Sequence, residues 1–440
     1  MQIVIDYIMG LGSNVFVPIV LVLLGLLFGL SFLKSLKTGI TVGVGFLGLG
    51  LVISIISSGL TPAVNLIVER FDLSLRVIDV GSGAAAGVGF STVVGALIIP
   101  FVFALNIILL ATGLTKTMNI DIFNYSHYAL TGSVVWYITQ NLTLGLVAGL
   151  FHAIFSLISA DYTAKNVQEV LGLDGISIPQ GYASSTVPLY TILNKIYDKI
   201  PFIKNSKVDD KALQKKMGMI GDPVIIGVFL GVILGVMAGY GFKEISNLVI
   251  VVCGLMILFP RMIKIIVEGL LPISEAAKVF FNKRFKGKQV YIGLDSAITL
   301  GHPTTMTVGI ILIPITLILA AILPGNKVLP LADLPFAPFF ICMATILHKG
   351  NVLKTLISST INMIIILYVA TWFSPYFTEI SNLTGLNPDK TPMSALYIGN
   401  IFDFIITKLN MYGILGIAVL FIIAVVSMIY VKKTTVQKEN

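Results

Sequence analysis

Charged residues are the class that this sequence has least of. Asp, Glu, Lys and Arg make up 11% of its 440 residues, whereas 56% are hydrophobic. A soluble domain carries about 25% charged residues, so the composition excludes that class and predicts a protein that crosses a membrane several times. The net charge of +8 comes from short basic segments. That distribution is typical of cytoplasmic loops rather than of a nucleic-acid-binding surface.

Cysteine and the common catalytic motifs are also scarce. The two cysteines, Cys253 and Cys342, lie far apart in apolar runs, which argues against a disulfide framework and against a cysteine metal site. The sequence contains neither a Gly-x-x-x-x-Gly-Lys-Ser/Thr phosphate loop nor a His-Glu-x-x-His pair. We therefore predict no catalytic residue, no metal site and no cofactor. The glycine-rich run at 43–50 lies inside an apolar segment and indicates close helix packing.

Long apolar runs are what the sequence has in abundance, and each of the clear ones approaches the ~20 residues that span a bilayer. The first run has no basic region before it and no small-residue cleavage site after it, so we expect a retained helix rather than a signal peptide. We predict an all-α polytopic membrane protein with about 10–11 transmembrane helices and some partial ones. The apolar runs are 15–33, 40–60, 88–114, 131–160, 220–240, 245–271, 305–324, 334–347, 355–374 and 411–431.

Two pairs of similar segments indicate that the chain is duplicated. Residues 52–62 match 262–272 with an offset of 210, and 95–100 match 309–314 with an offset of 214. Apolar segments also resemble each other by chance, but two blocks in the same order argue for a repeat. Duplicated halves are common in secondary transporters, where they are often inverted and place the site at their interface. We expect inversion here as well.

The predicted organisation of the chain follows from that repeat. The stretch between the halves is markedly polar and rich in lysine, which places it in the cytoplasm. We divide the chain into a first repeat half at 1–194, a cytoplasmic basic loop at 195–218, a second half with the last span at 219–431, and a polar tail at 432–440.

One polar stretch, 291–314, is the strongest candidate for a binding site. It carries Asp295, His302 and Thr304 beside an apolar run. Ionisable groups are costly at membrane depth and are usually functional there. The Gly-His-Pro triplet at 301–303 cannot continue a regular helix, and a broken backbone with polar side chains is typical of transporter sites. The alternatives are structural, because Asp295 could cap a helix, His302 could satisfy backbone groups at the break, and Thr304 could bond a carbonyl.

Other polar residues in apolar surroundings extend the candidate site. Asp79 lies in the corresponding stretch of the first half, with either a ligand-binding or a structural role, and His127 has polar and aromatic neighbours. Gln180 belongs to the proline-broken stretch 177–186, which is either a re-entrant element or a water-soluble loop. His152 could join helices or bind a ligand. An ionised carboxylate accepts hydrogen bonds from two neighbouring hydroxyls, so a polyol is a suitable ligand for such a set.

Two other functions use the same aspartates. In an ion-coupled secondary transporter for sugars or polyols, Asp79 and Asp295 would be the coupling sites. In an intramembrane aspartyl protease, they would form a dyad that shares a proton. The polar surroundings of the aspartates favour the polyol site over the protease.

Several motifs, taken together, resemble one family across residues 15–430. They are the duplicated Gly-Leu-x-Pro blocks, NYSHYALTG at 124–132, SIPQGYASS at 177–185, GLDSAITLGHPTT at 293–305 and DLPFAPFF at 333–340. The family that they resemble is the galactitol-type membrane subunit, enzyme IIC, of the bacterial sugar phosphotransferase system, which is related to the ascorbate-type IIC.

The resemblance implies an architecture and a set of partners. It implies a homodimer in the bacterial inner membrane, with a V-shaped scaffold domain and a core domain that holds the substrate between re-entrant hairpins and moves like an elevator. It also implies that the sugar is phosphorylated as it enters the cytoplasm, by a cysteine of a separate IIB protein that IIA charges. The phosphoryl-transfer chemistry would then reside on IIB, and we expect IIA and IIB to be separate polypeptides.

The resemblance to the ascorbate-type relatives also implies ligand contacts. By motif, these contacts fall on Ser58, His127, Gln180 and Asp295 of this sequence. The ascorbate-type stretch around Gln180 is richer in glutamine and has a histidine, and that around Asp295 does not continue into Gly-His-Pro-Thr-Thr. These departures are consistent with galactitol or a close polyol instead of a lactone. In this hypothesis Asp295 and His127 bind hydroxyls, and Gln180, His302 and Ser58 complete the shell, with Thr304 and Asp79 as further candidates.

Overall fold

The computed structural model describes residues 13–71, 75–119, 121–204, 223–284, 290–387 and 389–439. Most of the predicted basic loop, residues 205–218, lies outside the described residues. The helices of the first half are α1 Ser13–Leu27, α2 Phe32–Ile55, α3 Thr61–Phe71, α4 Ser82–Phe90, α5 Val93–Ala111, α6 Tyr125–Thr139, α7 Leu142–Leu171, α8 Gly181–Tyr197 and α9 Pro201–Lys204. Those of the second half are α10 Pro223–Ala238, α11 Phe242–Arg284, α12 Pro303–Ile322, α13 Ala337–Leu347, α14 Val352–Leu383, α15 Ile401–Asn410 and α16 Ile414–Glu439.

Five helices of the described residues are long and apolar enough to cross a membrane. They lie at Val93–Ala111, Leu142–Leu171, Pro303–Ile322, Val352–Leu383 and Ile414–Thr434, and shorter apolar helices lie at Gly227–Ala238 and Ala337–Leu347. This confirms a mostly helical, polytopic membrane protein. The number of about 10–11 spans stays a prediction.

Three of the predicted apolar runs, 15–33, 88–114 and 131–160, are each split into two helices. Gly29, with φ at 85°, separates α1 from α2. Between α4 and α5 the side chain of Thr92 caps the new helix by accepting from the Gly95 N–H at 2.9 Å. Between α6 and α7, Gln140 is left-handed and Asn141 caps α7. These breaks are two to four residues long within otherwise apolar runs, so a hydropathy pattern does not resolve them, and the caps Thr92 and Asn141 are the sequence signal for two of them.

Within the described residues, six short strands form two parallel three-stranded sheets, which the all-α prediction did not include. The strands are β1 Val77–Asp79, β2 Thr117–Asn119, β3 Ile176–Ser177, β4 Tyr291–Gly293, β5 Val328–Leu329 and β6 Met393–Ser394. One sheet has the order β5-β1-β6 and the other has the order β2-β4-β3. Strands of two or three residues cannot display a sequence alternation, but they pair backbone groups that the broken helices leave open.

Each half of the chain contributes its first strand to the sheet formed by the other half. Strand β1 lies between β5 and β6, and β4 lies between β2 and β3. The order of elements also recurs from the first strand onward: a strand, a broken helical segment, a second strand, a 3-10 turn, two helices and a third strand. Before the first strand, the second half has α10 and α11, whereas the first half has α1 and a second helix that the π-helical turn Ile56–Leu60 divides into α2 and α3. The exchanged strands therefore hold the two halves together through backbone hydrogen bonds.

Helices α2 and α11 pack tightly against each other at small residues. Gly48 lies against Met262, and a Cβ at Gly269 would come within 2.7 Å of Val42 Cγ2. The glycine-rich run thus lies where close helix packing was expected. Helices α1, α2, α3, α10 and α11 pack most extensively against one another.

Candidate functional site

Three of the residues predicted from the sequence follow the strands of the sheet β2-β4-β3. They lie at the carboxyl ends of these strands, which we call the edge. Because the strands are parallel, the residues that follow them emerge on the same side. His127 follows β2, Asp295 follows β4 and Gln180 follows β3. The Leu294 N–H donates to the Ser177 carbonyl at 3.0 Å, which fixes the segments carrying Asp295 and Gln180 side by side.

His127 and Gln180 are in direct contact. Both are buried, and the Nε2 atoms of the two side chains are 2.7 Å apart. Gln180 Oε1 accepts from the Ala183 N–H at 2.6 Å, so the amide nitrogen of Gln180 is the end that faces the imidazole. The amide nitrogen can only donate, which makes Nε2 of His127 an acceptor. Within the described part of the chain, Nδ1 of His127 has no hydrogen-bond partner.

Aromatic side chains from both halves surround His127. The ring of Tyr397, which follows β6, stacks on the imidazole with a centroid distance of 3.9 Å, and its hydroxyl is 2.5 Å from Ser126 Oγ. The ring of Tyr182 lies 6.2 Å from His127 and 4.6 Å from Phe340. The Tyr182 hydroxyl is buried and has no partner among the described residues.

Sequence reasoning missed Tyr397, although its position carries a signal. Tyr397 comes three residues after Ser394, the end of β6, and Gln180 comes three residues after Ser177, the end of β3. The two residues therefore occupy matching positions after the third strand of each half. Aligning the halves over their third strands would have found it.

Asp295 caps the 3-10 turn Ser296–Gly301 and is partly exposed. One of its carboxylate oxygens accepts from the Ala297 N–H at 2.8 Å. The carboxylate of Asp121 accepts in turn from the backbone N–H of Asp295, and the two carboxyl groups are close enough to interact electrostatically. Asp295 thus has the capping role that was its structural alternative.

Asp79 lies at the carboxyl end of β1, the central strand of the other sheet, and is fully buried. Its oxygens accept from the Gly81 N–H at 3.0 Å and from the Asp333 N–H at 2.8 Å. Asp79 ends β1, whereas Asp295 is the second residue after β4, so the two aspartates do not occupy equivalent positions. The contacts favour the structural alternative for Asp79.

Asp121 and Asp333 are the two aspartates that occupy equivalent positions in the two halves. The sequence analysis did not single out either of them. Each lies just after the second strand of its own half. Each accepts a hydrogen bond from a backbone N–H in the opposite half, at the start of the turn or helix that follows the first strand there. Asp121 binds the Asp295 N–H, and Asp333 accepts from the Ser82 N–H at 2.5 Å and from the Ser82 hydroxyl. Both begin an Asp-Ile or Asp-Leu motif, at 121–122 and 333–334, which is the sequence signal.

His302 and Thr304 hold the start of α12. His302 Nδ1 accepts from the Thr304 N–H at 3.2 Å, so the imidazole caps the helix that begins at Pro303. The Thr304 hydroxyl donates to the Gly350 carbonyl at 2.8 Å. These contacts favour the structural alternatives, although the carbonyl bound by Thr304 belongs to a distant loop rather than to its own helix.

Ser58 lies apart from this edge, in a π-helical turn at Ile56–Leu60. Its side chain is exposed, and its turn packs mainly against α2, α3 and α11.

A second buried cluster lies behind the edge. His152 Nδ1 is 3.2 Å from a carboxylate oxygen of Asp403 and 2.6 Å from the Thr131 hydroxyl, and His152 Nε2 is 3.3 Å from the Gly181 carbonyl. Asp403 is also bound by the side chains of Thr131 and Asn400. His152 therefore joins α6, α7, α8 and α15, as a residue that holds helices together. No cluster of three or more His, Cys, Asp or Glu in the described ranges could hold a metal ion.

Comparison with known proteins supplies the family. The family EIIC-GAT, described as PTS system sugar-specific permease component, matches residues 7–390. A protein of Escherichia coli (strain K12) described as a permease IIC component is 56% identical over 416 residues, covering 94% of this chain and 95% of that protein. The galactitol-specific EIIC component of the same strain is 35% identical over 382 residues, covering 87% of this chain and 85% of the relative. This chain belongs to the EIIC-GAT family of phosphotransferase-system permease components and is a multi-pass protein of the inner membrane.

Proposed function

We propose that this protein binds galactitol or a close polyol and carries it across the inner membrane for phosphorylation by a separate IIB protein. Membership of the IIC family implies a sugar substrate and IIA and IIB partners. The 35% identity to a galactitol-specific component supports the choice of substrate. The single observation that carries the site is the buried Nδ1 of His127, which has no partner within the described ranges.

The chemistry of this edge suits a chain of hydroxyl groups. A polyol hydroxyl both donates and accepts, so it needs acceptors and donors in one place. His127 Nδ1–H would donate, the partly exposed carboxylate of Asp295 would accept, and the Tyr182 hydroxyl would do either. Buried polar atoms without partners cost about 1–3 kcal/mol each, and a bound polyol would remove that cost. Gln180 would act by fixing the imidazole of His127.

The remaining candidates are assigned different roles in this proposal. Ser58 would reach the ligand only when the helices around it move relative to the edge. His302, Thr304 and Asp79 would shape the site through backbone contacts. We propose that α1, α2, α3, α10 and α11 form the V-shaped scaffold, because they pack mainly on one another, and that the other helices form a core that moves like an elevator.

We also propose that the halves 1–194 and 219–431 are inverted repeats and that the protein is a homodimer. The recurring order of elements and the reciprocal exchange of first strands support the repeat. Exchange between halves related by a pseudo-two-fold axis places a site at their interface. His127 and Tyr397, which stack on each other, come from opposite halves.

The test is uptake and phosphorylation of labelled galactitol by vesicles that contain the protein together with IIB and phosphorylated IIA. We expect galactitol phosphate to accumulate, and His127→Ala and Asp295→Asn to abolish most of it, while Asp174→Asn, an exposed change elsewhere, leaves it intact. Uptake of free polyol that needs no IIB and collapses with an uncoupler would instead support an ion-coupled transporter. Unchanged transport by Asp295→Asn would remove that residue from the site.

A further inference from the structure

An apolar groove runs along the last helix, and His127, Gln180 and Asp295 do not line it. It lies between α7, α8, α15 and α16 and has a volume of about 530 Å³. Tyr162 of α7 and Ile423, Val426, Tyr430 and Val431 of α16 contribute to its lining. Tyr162 and Tyr430 also contact each other, with ring centroids 6.4 Å apart.

The groove continues into a polar recess at one end. Ile158 and Val431 line both spaces, and the recess has a volume of about 290 Å³. Lys116, Lys432 and Asp161 line the recess. Two cationic side chains therefore lie at the end of a long apolar surface.

Asp161 is bound by its own neighbours, and the charge of Lys116 also interacts with its carboxylate. Its carboxylate accepts from the hydroxyls of Thr115 and Thr117, at 2.7 Å each, and from the Lys116 N–H at 3.2 Å. Those three donors occupy most of the acceptor capacity of the carboxylate. Counting Lys116, Lys432 and Asp161, the recess carries one net positive charge.

The depth of the recess matches the head-group region of the cytoplasmic leaflet. Lys432 and Lys433 lie at the end of the span Ile414–Thr434, which the positive-inside rule assigns to the cytoplasm. From Lys432 the groove follows α16 back to Ile423, about 13 Å at 1.5 Å per residue. That is close to the thickness of the hydrocarbon layer of one leaflet, roughly 15 Å.

We propose that this groove binds one anionic phospholipid of the cytoplasmic leaflet. An acyl chain would lie along Val426 and Tyr430, and the phosphate and the acidic head group would lie in the recess between Lys116 and Lys432. Charge complementarity selects the occupant: a zwitterionic lipid fits the apolar groove equally well but gains less from the two lysines. The lipid would bridge α16 and the segment that leads into β2.

Native mass spectrometry of the purified full-length protein tests this proposal. The protein is titrated with phosphatidylglycerol or with phosphatidylethanolamine of the same acyl chains. We expect a preference for phosphatidylglycerol that falls by roughly 5-fold for each lysine removed in Lys116→Gln and Lys432→Gln. Lys243→Gln, an exposed lysine on α11, is the matched control and should keep the preference.

A second pair of variants tests the groove itself. Ser427→Trp fills the groove and should reduce retention of both lipids, whereas Ile422→Trp, on an exposed position of the same helix, should not. Equal binding of the two lipids by the unmodified protein, or an unchanged preference in the double lysine variant, would overturn the proposal. It would also fail if Ser427→Trp converted a larger oligomer to a monomer without changing lipid retention, because the groove would then be a contact between protein copies.

Discussion

The amide nitrogen of Gln180 donates to Nε2 of His127 across 2.7 Å. A neutral imidazole that accepts at Nε2 carries its proton on Nδ1, so Gln180 sets the tautomer of His127. The Ala183 N–H holds the other end of the amide, which prevents the amide from turning over. Gln180, which caps α8, thus determines that Nδ1 of His127 is a hydrogen-bond donor rather than an acceptor.

Replacing Gln180 with Glu tests this relationship. The carboxylate keeps the capping acceptor but accepts from Nε2–H, so the Nδ1 proton is lost when the imidazole is neutral. We expect galactitol binding at pH 8.5 to weaken by roughly 10-fold, the equivalent of one hydrogen bond of about 1.5 kcal/mol. Isothermal titration calorimetry measures it. Gln168→Glu, whose amide donates to the Ile176 carbonyl, is the control, and equal affinities for both variants would contradict the tautomer argument.

The carboxylate of Asp121 should position Asp295. We expect Asp121→Ala to weaken polyol binding by about 5-fold, because the backbone N–H of Asp295 loses its acceptor. Asp121→Asn keeps an acceptor oxygen and should retain most of the affinity. The comparison is made on galactitol dissociation constants. An alanine variant that binds as well as the asparagine variant would show that this contact does not matter for the ligand.

The cluster of His152 and Asp403 should contribute to stability rather than to transport chemistry. A buried donor that loses its acceptor costs about 1–3 kcal/mol, so Asp403→Ala should lower the thermal unfolding temperature in detergent. Asp403→Asn keeps bonds to Thr131 and should lose less. Asp389→Ala, at an exposed position, is the control. If Asp403→Ala unfolded at the same temperature as Asp389→Ala, the cluster would not have a stabilising role.

Gly95 should tolerate no side chain. A Cβ there would lie 2.0 Å from the Gly89 carbonyl oxygen, so Gly95→Ala must displace the break between α4 and α5. We expect a destabilisation of about 1–3 kcal/mol, seen as a lower thermal unfolding temperature. Gly254→Ala in α11 meets no atom within 4 Å and should be neutral or stabilising by up to about 1 kcal/mol. Equal effects of the two substitutions would contradict the packing argument.

The sequence predicted the features that extend over many residues, such as the apolar helices. Apolar runs indicated the helices, and the motifs indicated His127, Gln180 and Asp295, whose role in binding stays a prediction. The strands were missed because two or three residues carry no alternation. Asp333 was missed as a structural residue because its bond to Ser82 spans 251 positions of the chain. Contacts of that range follow from the fold and cannot be inferred from neighbouring residues.

The exchange of strands between the halves constrains the order in which the protein can assemble. Strand β1 pairs with β5 and β6, so Ile78 has no partner strand until residues near Leu329 have been synthesised. The edge at which His127 and Gln180 lie likewise cannot form until β4 has been synthesised. The polar edge of the first half becomes complete only after Tyr397, which stacks on His127, has been synthesised.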